Sequence, residues 1–226
     1  MSPTGQLPQN VCMKHVALIE LYRGATLECQ HLGSVAVVNT RGQLKAQVGD
    51  PHWLCFTRST LKAFQALPFM EAGGAKQFGL SSEHIALLCA SHSGEGKHVA
   101  VVADLLEKSG QNYRTLKCGC HVPGIFSYHD KAPPADLVFD ERHNNCSGKH
   151  AGFVAYCVQH GLSLGDYIDP SHPLQQAIRR DTARAAGVAE NEPTLSGEQT
   201  SHLPEAFATA VLAAPEFSLN IRMSGS

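Results

Sequence analysis

A serine and a lysine stand three residues apart in the segment FTRSTLKAFQ, at positions 56 to 65. If Ser59 opens a helix, Lys62 lies one turn further on the same face, where its amine can approach the serine hydroxyl. Burial among apolar groups and the positive charge of Arg58 disfavour the ammonium form, so the lysine could act as a base. Ser-x-x-Lys is an arrangement in which acyl-transfer enzymes activate a serine. Taken alone, the segment is also compatible with a capping serine and a solvated lysine.

A second segment, CASHSGEGKH at 89 to 98, combines serines and histidine with small residues. We expect a strand-to-helix turn here, with Ser93 capping the helix that follows. Backbone N–H groups at a helix N-terminus stabilise developing negative charge, so this turn predicts an oxyanion or carboxylate site. A helix-capping serine with polar neighbours is the plainer interpretation.

The third segment, HNNCSGKHAGF at 143 to 153, is unusually dense in polar side chains. It is expected to be a loop that feeds a helix ending at Gly161. The alternative to a functional site is a capped helix with polar residues on its surface. Its chemically capable residues are His143, Asn144, Asn145, Cys146, Ser147, Lys149 and His150.

Taken together, in this order and with these separations, the three segments resemble the L-asparaginases of the Rhizobium etli type, the asparaginase II family. The ten-residue run NNCSGKHAGF is the most specific part of the resemblance, which extends from about His15 to about Thr194. The resemblance implies an α+β fold, an antiparallel sheet with a helical cluster similar to serine β-lactamases and glutaminases. It also implies hydrolysis of L-asparagine to L-aspartate and ammonia.

The resemblance assigns a role to each matching residue. Ser59 corresponds to the nucleophile, Lys62 to its base and Ser91 to a second catalytic serine. Arg58 and His150 correspond to positions that contact the substrate. A homodimer is also implied.

Two ligands of a zinc ion are implied by the resemblance at Cys146 and Lys149. The family's third ligand lies in a later Gly-Cys-Ser segment, and a further lysine partners the second serine. Neither is recognisable here, because no cysteine follows Cys157 and no lysine follows Lys149. We therefore expect one asparaginase II-type domain over residues 1–226 that lacks part of the family's C-terminal region, with an incomplete zinc site.

Other cysteines permit further interpretations. Cys118 and Cys120 could form a metal or redox pair, although structural thiols fit their spacing better. The chain has 8 cysteines, mostly within apolar segments, and we expect most of them to be reduced core thiols.

The composition narrows the classes of partner. The 226 residues are 43% hydrophobic and 17% charged, with a net charge of -2, as in a soluble globular protein. Because the chain has no basic runs, we do not expect nucleic acid or anionic membranes as partners. No signal peptide or membrane-spanning run is evident, so a cytoplasmic location is expected.

The hydrophobic pattern predicts an N-terminal antiparallel ribbon followed by helices. A turn is expected at Asn39 to Gly42, and Pro68 should shorten the helix of residues 59 to 70. Two further helices are expected to end at Gly110 and Gly187.

Two other functions remain open. A β-lactamase or penicillin-binding enzyme would share Ser-x-x-Lys, but no Ser-Asp-Asn or Lys-Thr-Gly follows. A catalytically impaired family member that acts through binding or assembly is the second alternative.

Overall fold

The computed structural model describes residues 15–52, 58–128 and 131–186. They fall into two compact units: the first contains residues 15–52, and the second contains the other two ranges. Strands occur in the first unit and helices in the second, which agrees with the predicted α+β class. The expected likeness to the β-lactamase fold stays a prediction.

The first unit consists of two antiparallel hairpins, in which β1 pairs with β2 and β3 with β4. The turn between β3 and β4 confirms the prediction, because the Asn39 side chain accepts hydrogen bonds from the N–H groups of Arg41 at 3.0 Å and Gln43 at 2.9 Å. Gly42 supplies the positive φ, 74°, that this turn requires. The strands are β1 Val16–Arg23, β2 Thr26–Gly33, β3 Val35–Val38 and β4 Leu44–Val48.

In its described part the second unit is helical. Short 3₁₀ turns at Arg58–Leu61, Tyr113–Thr115 and Glu141–His143 precede or connect its helices. The α-helices are α1 Lys62–Gln65, α2 Leu67–Glu71, α3 Gly74–Gln77, α4 Ser82–Leu88, α5 Gly96–Lys108, α6 Gly124–Tyr128, α7 Ser147–His160 and α8 Pro173–Ala186.

Pro68 divides the helix that the sequence predicts over residues 59 to 70. α1 ends at Gln65, and α2 places Pro68 in its first turn, where a missing N–H costs no helical hydrogen bond. The helix begins later than expected, because residues 58 to 61 form a 3₁₀ turn. The break between α1 and α2 confirms the prediction that Pro68 ends or kinks this helix early.

The segment before Ser91 differs from the expectation of a strand. Residues Ser82–Leu88 form α4, which begins with a capping box: His84 Nδ1 accepts the Ser81 N–H at 3.1 Å and lies 2.8 Å from Ser81 Oγ. The apolar run is short, and periodicity cannot separate a short buried strand from a helix. The strand-to-helix prediction was wrong.

The start of α5 also differs from the prediction. Glu95, not Ser93, is its N-cap residue, and the Ser93 hydroxyl donates a hydrogen bond to the Glu95 carboxylate at 2.6 Å. The end is as predicted, because Gly110 follows with a φ of 69°. α7 likewise ends at Gly161, which has a φ of 62°. The expected end of α8 at Gly187 lies outside the described residues.

The core is formed where α4, α5 and α7 pack on one another, with α2 and α8 closing its other side. Two glycines of α7 permit the contact with α4. A Cβ on Gly148 would lie 2.4 Å from the Leu87 carbonyl oxygen, and one on Gly152 would lie 2.3 Å from Leu88 Cδ2. The Gly-x-x-x-Gly spacing within SGKHAG thus has a packing role.

The cysteines are less buried than expected. The six in the described ranges are free, as predicted, but only Cys157 is fully buried, and Cys29 and Cys120 are exposed. The prediction of core thiols was therefore wrong for these exposed cysteines, because an apolar sequence neighbourhood does not fix which way one side chain points. Cys12 and Cys55 lie outside the described residues. Among the described helices, none combines the length and apolar character needed to cross a bilayer.

Gly148→Ala should destabilise the protein by about 1–3 kcal/mol, since the new methyl group meets backbone that cannot move independently. Gly96→Ala at the start of α5 is the matched control, because a Cβ there has nothing within 4 Å. Urea unfolding of the two variants measures the difference. Equal free energies of unfolding would show that the contact between α7 and α4 is not tight.

Candidate active site

Lys62 and Ser91 are brought into direct contact although they lie 29 positions apart. Lys62 is the first residue of α1 and is only 3% exposed, and its Nζ donates a hydrogen bond to Ser91 Oγ. Ser91 lies on the loop between α4 and α5, and it is exposed. A buried amine needs a polar partner, and Ser91 supplies it. The hydroxyl is thus open to a small molecule while the amine behind it is shielded.

Ser59 is placed differently from the sequence argument. It lies in the exposed 3₁₀ turn that precedes α1, and within the described residues Lys62 hydrogen-bonds to Ser91 rather than to Ser59. The predicted contact between Ser59 and Lys62 requires an α-helix that starts at Ser59, whereas α1 starts at Lys62 and directs that side chain inward. Arg58, next to Ser59, has a φ of 49°, which is uncommon for a residue with a side chain.

The loop that carries Ser91 is tied to the segment leading into α7. The N–H of His92 donates to the Asn145 carbonyl at 3.2 Å, and the N–H of Gly94 donates to His92 Nδ1 at 3.1 Å. Because Nδ1 is therefore an acceptor, the ring proton sits on Nε2, which donates to Ser147 Oγ at 2.8 Å. His92 thus holds the loop in place as a neutral imidazole.

Gly94 is required by the close packing of this loop. Its φ is 74°, and a Cβ there would lie 2.6 Å from Pro123 Cβ and 2.8 Å from the His143 carbonyl oxygen. The N–H groups of His92 and Gly94 are both used within the protein, so neither supports the oxyanion site expected at this turn.

The segment HNNCSGKHAGF lies largely in the interior. Asn144 is 8% exposed, Ser147 0% and His150 8%, so a helix with polar residues on its surface does not describe them. Asn144 donates to the Cys118 carbonyl and accepts the Cys146 N–H, both at 2.8 Å. One amide side chain therefore fixes the backbone around two cysteines.

Two histidines, His92 and His150, lie within the electrostatic field of Lys62. Burial, followed by the positive fields of His98 and Lys62, lowers the pKa of His92 to about 4. Burial, followed by the charges of Lys149 and Lys62, lowers the pKa of His150 to about 3. Both imidazoles are therefore neutral at neutral pH.

The two residues that the resemblance assigns to zinc lie one turn apart. Cys146 is the N-cap of α7 and Lys149 is in its first turn, with Nζ 5.5 Å from the centroid of the Phe153 ring. Burial raises the pKa of the Cys118 thiol to about 12, and the nearby Cys146 side chain acts in the same direction. Over the ranges that the structure describes, no three His, Cys, Asp or Glu side chains converge as metal ligands.

Tyr167 is a site residue that the sequence argument missed. It is 0% exposed, and its hydroxyl contacts His150 Nδ1 at 2.9 Å and the Lys117 N–H at 2.7 Å. A lone tyrosine in the segment GDYID offered no pattern that could have identified it.

Comparison with known proteins identifies the family. The family model described as L-asparaginase II matches residues 19–197. The chain belongs to the L-asparaginase II family, a family of amidohydrolases. A search of curated proteins found no match.

Acid should destabilise the protein before its carboxylates titrate. A histidine whose pKa falls from 6.5 in the unfolded chain to about 4 or 3 in the fold stabilises the protein above pH 6.5 and loses this contribution as the pH falls. Between pH 8 and pH 5.5, His92 and His150 together should lower the free energy of unfolding by about 3 kcal/mol.

Urea unfolding of wild type and His92→Gln at both pH values tests this. The variant should lose about half of the pH dependence. His160→Gln, at an exposed position of α7, is the control and should keep the full dependence. A wild-type stability that is the same at both pH values would contradict the burial of neutral imidazoles.

Proposed function

We propose that the protein hydrolyses the side-chain amide of L-asparagine to L-aspartate and ammonia through a serine activated by Lys62. The observation that carries the proposal is the hydrogen bond between the buried Lys62 amine and the exposed Ser91 hydroxyl. Membership of the L-asparaginase II family supports L-asparagine as the substrate. The run NNCSGKHAGF supports assignment to the Rhizobium etli type within that family.

In the proposed reaction, Lys62 first gives up a proton, and Ser91 Oγ then attacks the side-chain amide carbon while its own proton passes to the Lys62 amine. The amide C–N bond then breaks, and Lys62 returns the proton to the departing nitrogen, which leaves as ammonia. Water attacks the resulting aspartyl ester, with its proton passing to Lys62. The ester C–O bond then breaks, and Lys62 returns the proton to Ser91 Oγ as aspartate leaves.

Ser59 remains the second candidate for the nucleophile, since the resemblance assigns that role to it. Its exposed position one turn before Lys62 and the left-handed backbone of Arg58 suit a residue near a reacting substrate. We assign Arg58 and His150 to binding the substrate, because a guanidinium and a neutral imidazole can donate hydrogen bonds to carboxylate and carbonyl oxygens.

The alternatives receive less support. The family match does not support a β-lactamase or a penicillin-binding enzyme. The homodimer and the cytoplasmic location stay predictions.

Lys62→Arg should reduce ammonia release from L-asparagine by about 10²–10⁴-fold, because arginine keeps the charge but cannot deprotonate to serve as a base. Lys108→Arg on α5 is the matched control, since its amine pairs with Asp104 at 3.3 Å on the surface and should tolerate the exchange. Circular dichroism checks that each variant is folded. A folded Lys62→Arg variant with more than about a tenth of wild-type activity would show that Lys62 is only an electrostatic anchor.

The two serines are separated by the same assay. Ser91→Ala should lose at least about 10²-fold in kcat, and Ser59→Ala should lose less. The reverse order would return the nucleophile to Ser59. Wild-type protein that releases no ammonia from asparagine or glutamine would reject the proposed function as a whole.

We also propose a weak zinc site at Cys146 and Lys149. A thiolate and a neutral amine are suitable donors, and their positions one turn apart on α7 permit them to share an ion. Two protein ligands are fewer than the usual three or four, so the affinity should be low. A zinc ion bound there would supply a Lewis acid.

Elemental analysis of protein purified without added zinc should find less than one ion per chain, removable by a chelator. Added zinc should bind to wild type and to Cys120→Ser, whose cysteine is exposed, but not to Cys146→Ser. A stoichiometric ion that resists chelation would contradict an incomplete ligand set.

A further inference from the structure

The phenol of Tyr167 makes two hydrogen bonds that together determine the state of His150. Its oxygen accepts the Lys117 N–H at 2.7 Å and lies 2.9 Å from His150 Nδ1. The residue is 0% exposed, so no bulk water reaches it. The hydroxyl proton must therefore find its acceptor within the protein.

The position of that proton follows from the available acceptors. If His150 Nδ1 carried a proton and donated it to the phenol, the oxygen would accept twice and its own proton would be buried without a partner. Among the described contacts of Tyr167, Nδ1 is the acceptor that remains for this proton. Tyr167 consequently donates to Nδ1, and the neutral ring of His150 carries its proton on Nε2.

The same contact opposes protonation of His150. An imidazolium has protons on both nitrogens, and its Nδ1–H would face the phenol proton. His150 is thus held with its Nε2–H as the hydrogen-bond donor.

We propose that Tyr167 is a positioning residue that fixes the His150 ring in the tautomer whose Nε2–H donates to an acceptor oxygen of the substrate. This inference rests on the proposed function. Within this proposal the acceptor is an oxygen of the substrate carboxylate, whose charge is the same in the ground state and in the transition state. Loss of this contact should therefore raise KM and leave kcat nearly unchanged.

Tyr167→Phe tests the inference because it removes the hydroxyl and keeps the ring. Two-bond ¹H–¹⁵N correlation spectra, assigned with His150→Gln, report which ring nitrogen carries the proton. Wild type should show only the Nε2–H tautomer, and Tyr167→Phe should show a mixture of both tautomers. KM should rise about tenfold, with kcat within about twofold of wild type.

Tyr113→Phe is the matched control. Tyr113 is a half-buried tyrosine of the same unit whose ring lies 5.1 Å from the Arg142 guanidinium, and its replacement should leave the His150 spectrum unchanged. A proton on Nδ1 in the wild type would overturn the inference even if Tyr167→Phe fails to fold. An unchanged tautomer and KM in a folded Tyr167→Phe would also overturn it. If the proposed function is wrong, wild type will release no ammonia. The tautomer spectra do not depend on turnover, so they test the inference separately.

Discussion

The candidate site depends on one interaction, the hydrogen bond between an amine inside the protein and a hydroxyl at its surface. Burial of a lysine is unfavourable unless its nitrogen has a partner, so Lys62 and Ser91 must be held together by the surrounding structure. The start of α1 after the 3₁₀ turn of residues 58 to 61 positions Lys62, and the loop between α4 and α5 positions Ser91. Lys62 and Ser91 belong to different segments of the chain, so the site forms only when the second unit is folded.

The packing of α7 holds in place the structure around this hydrogen bond. Gly148 and Gly152 let α7 approach α4 closely, and residues at the start of α7 hold the Ser91 loop through His92. The same helix carries His150 into the interior, where Tyr167 fixes its ring. Neutral histidines thus serve as structural hydrogen-bonding groups around the amine, and their low pKa values follow from this burial.

Local sequence patterns predicted the elements that are bounded by a turn residue, a proline or a glycine. The turn at Asn39, the break at Pro68 and the helix end at Gly161 follow from residue chemistry that acts over a few positions. The helical state of residues 82 to 88 could not be predicted, because a short apolar run fits either period. The contact between Lys62 and Ser91 was also missed, since it depends on how distant segments pack. The resemblance identified both residues, but only the fold shows that they touch.

Identification of the serine that carries the acyl group would test the central claim most directly. Wild-type protein mixed with L-asparagine, quenched in acid and digested, should yield an aspartyl ester on the peptide that contains Ser91, and Lys62→Arg should yield none. The proposed mechanism predicts this ester because the Lys62 amine contacts the Ser91 hydroxyl. An aspartyl ester on Ser59 instead, or turnover without any ester on Ser91, would contradict it.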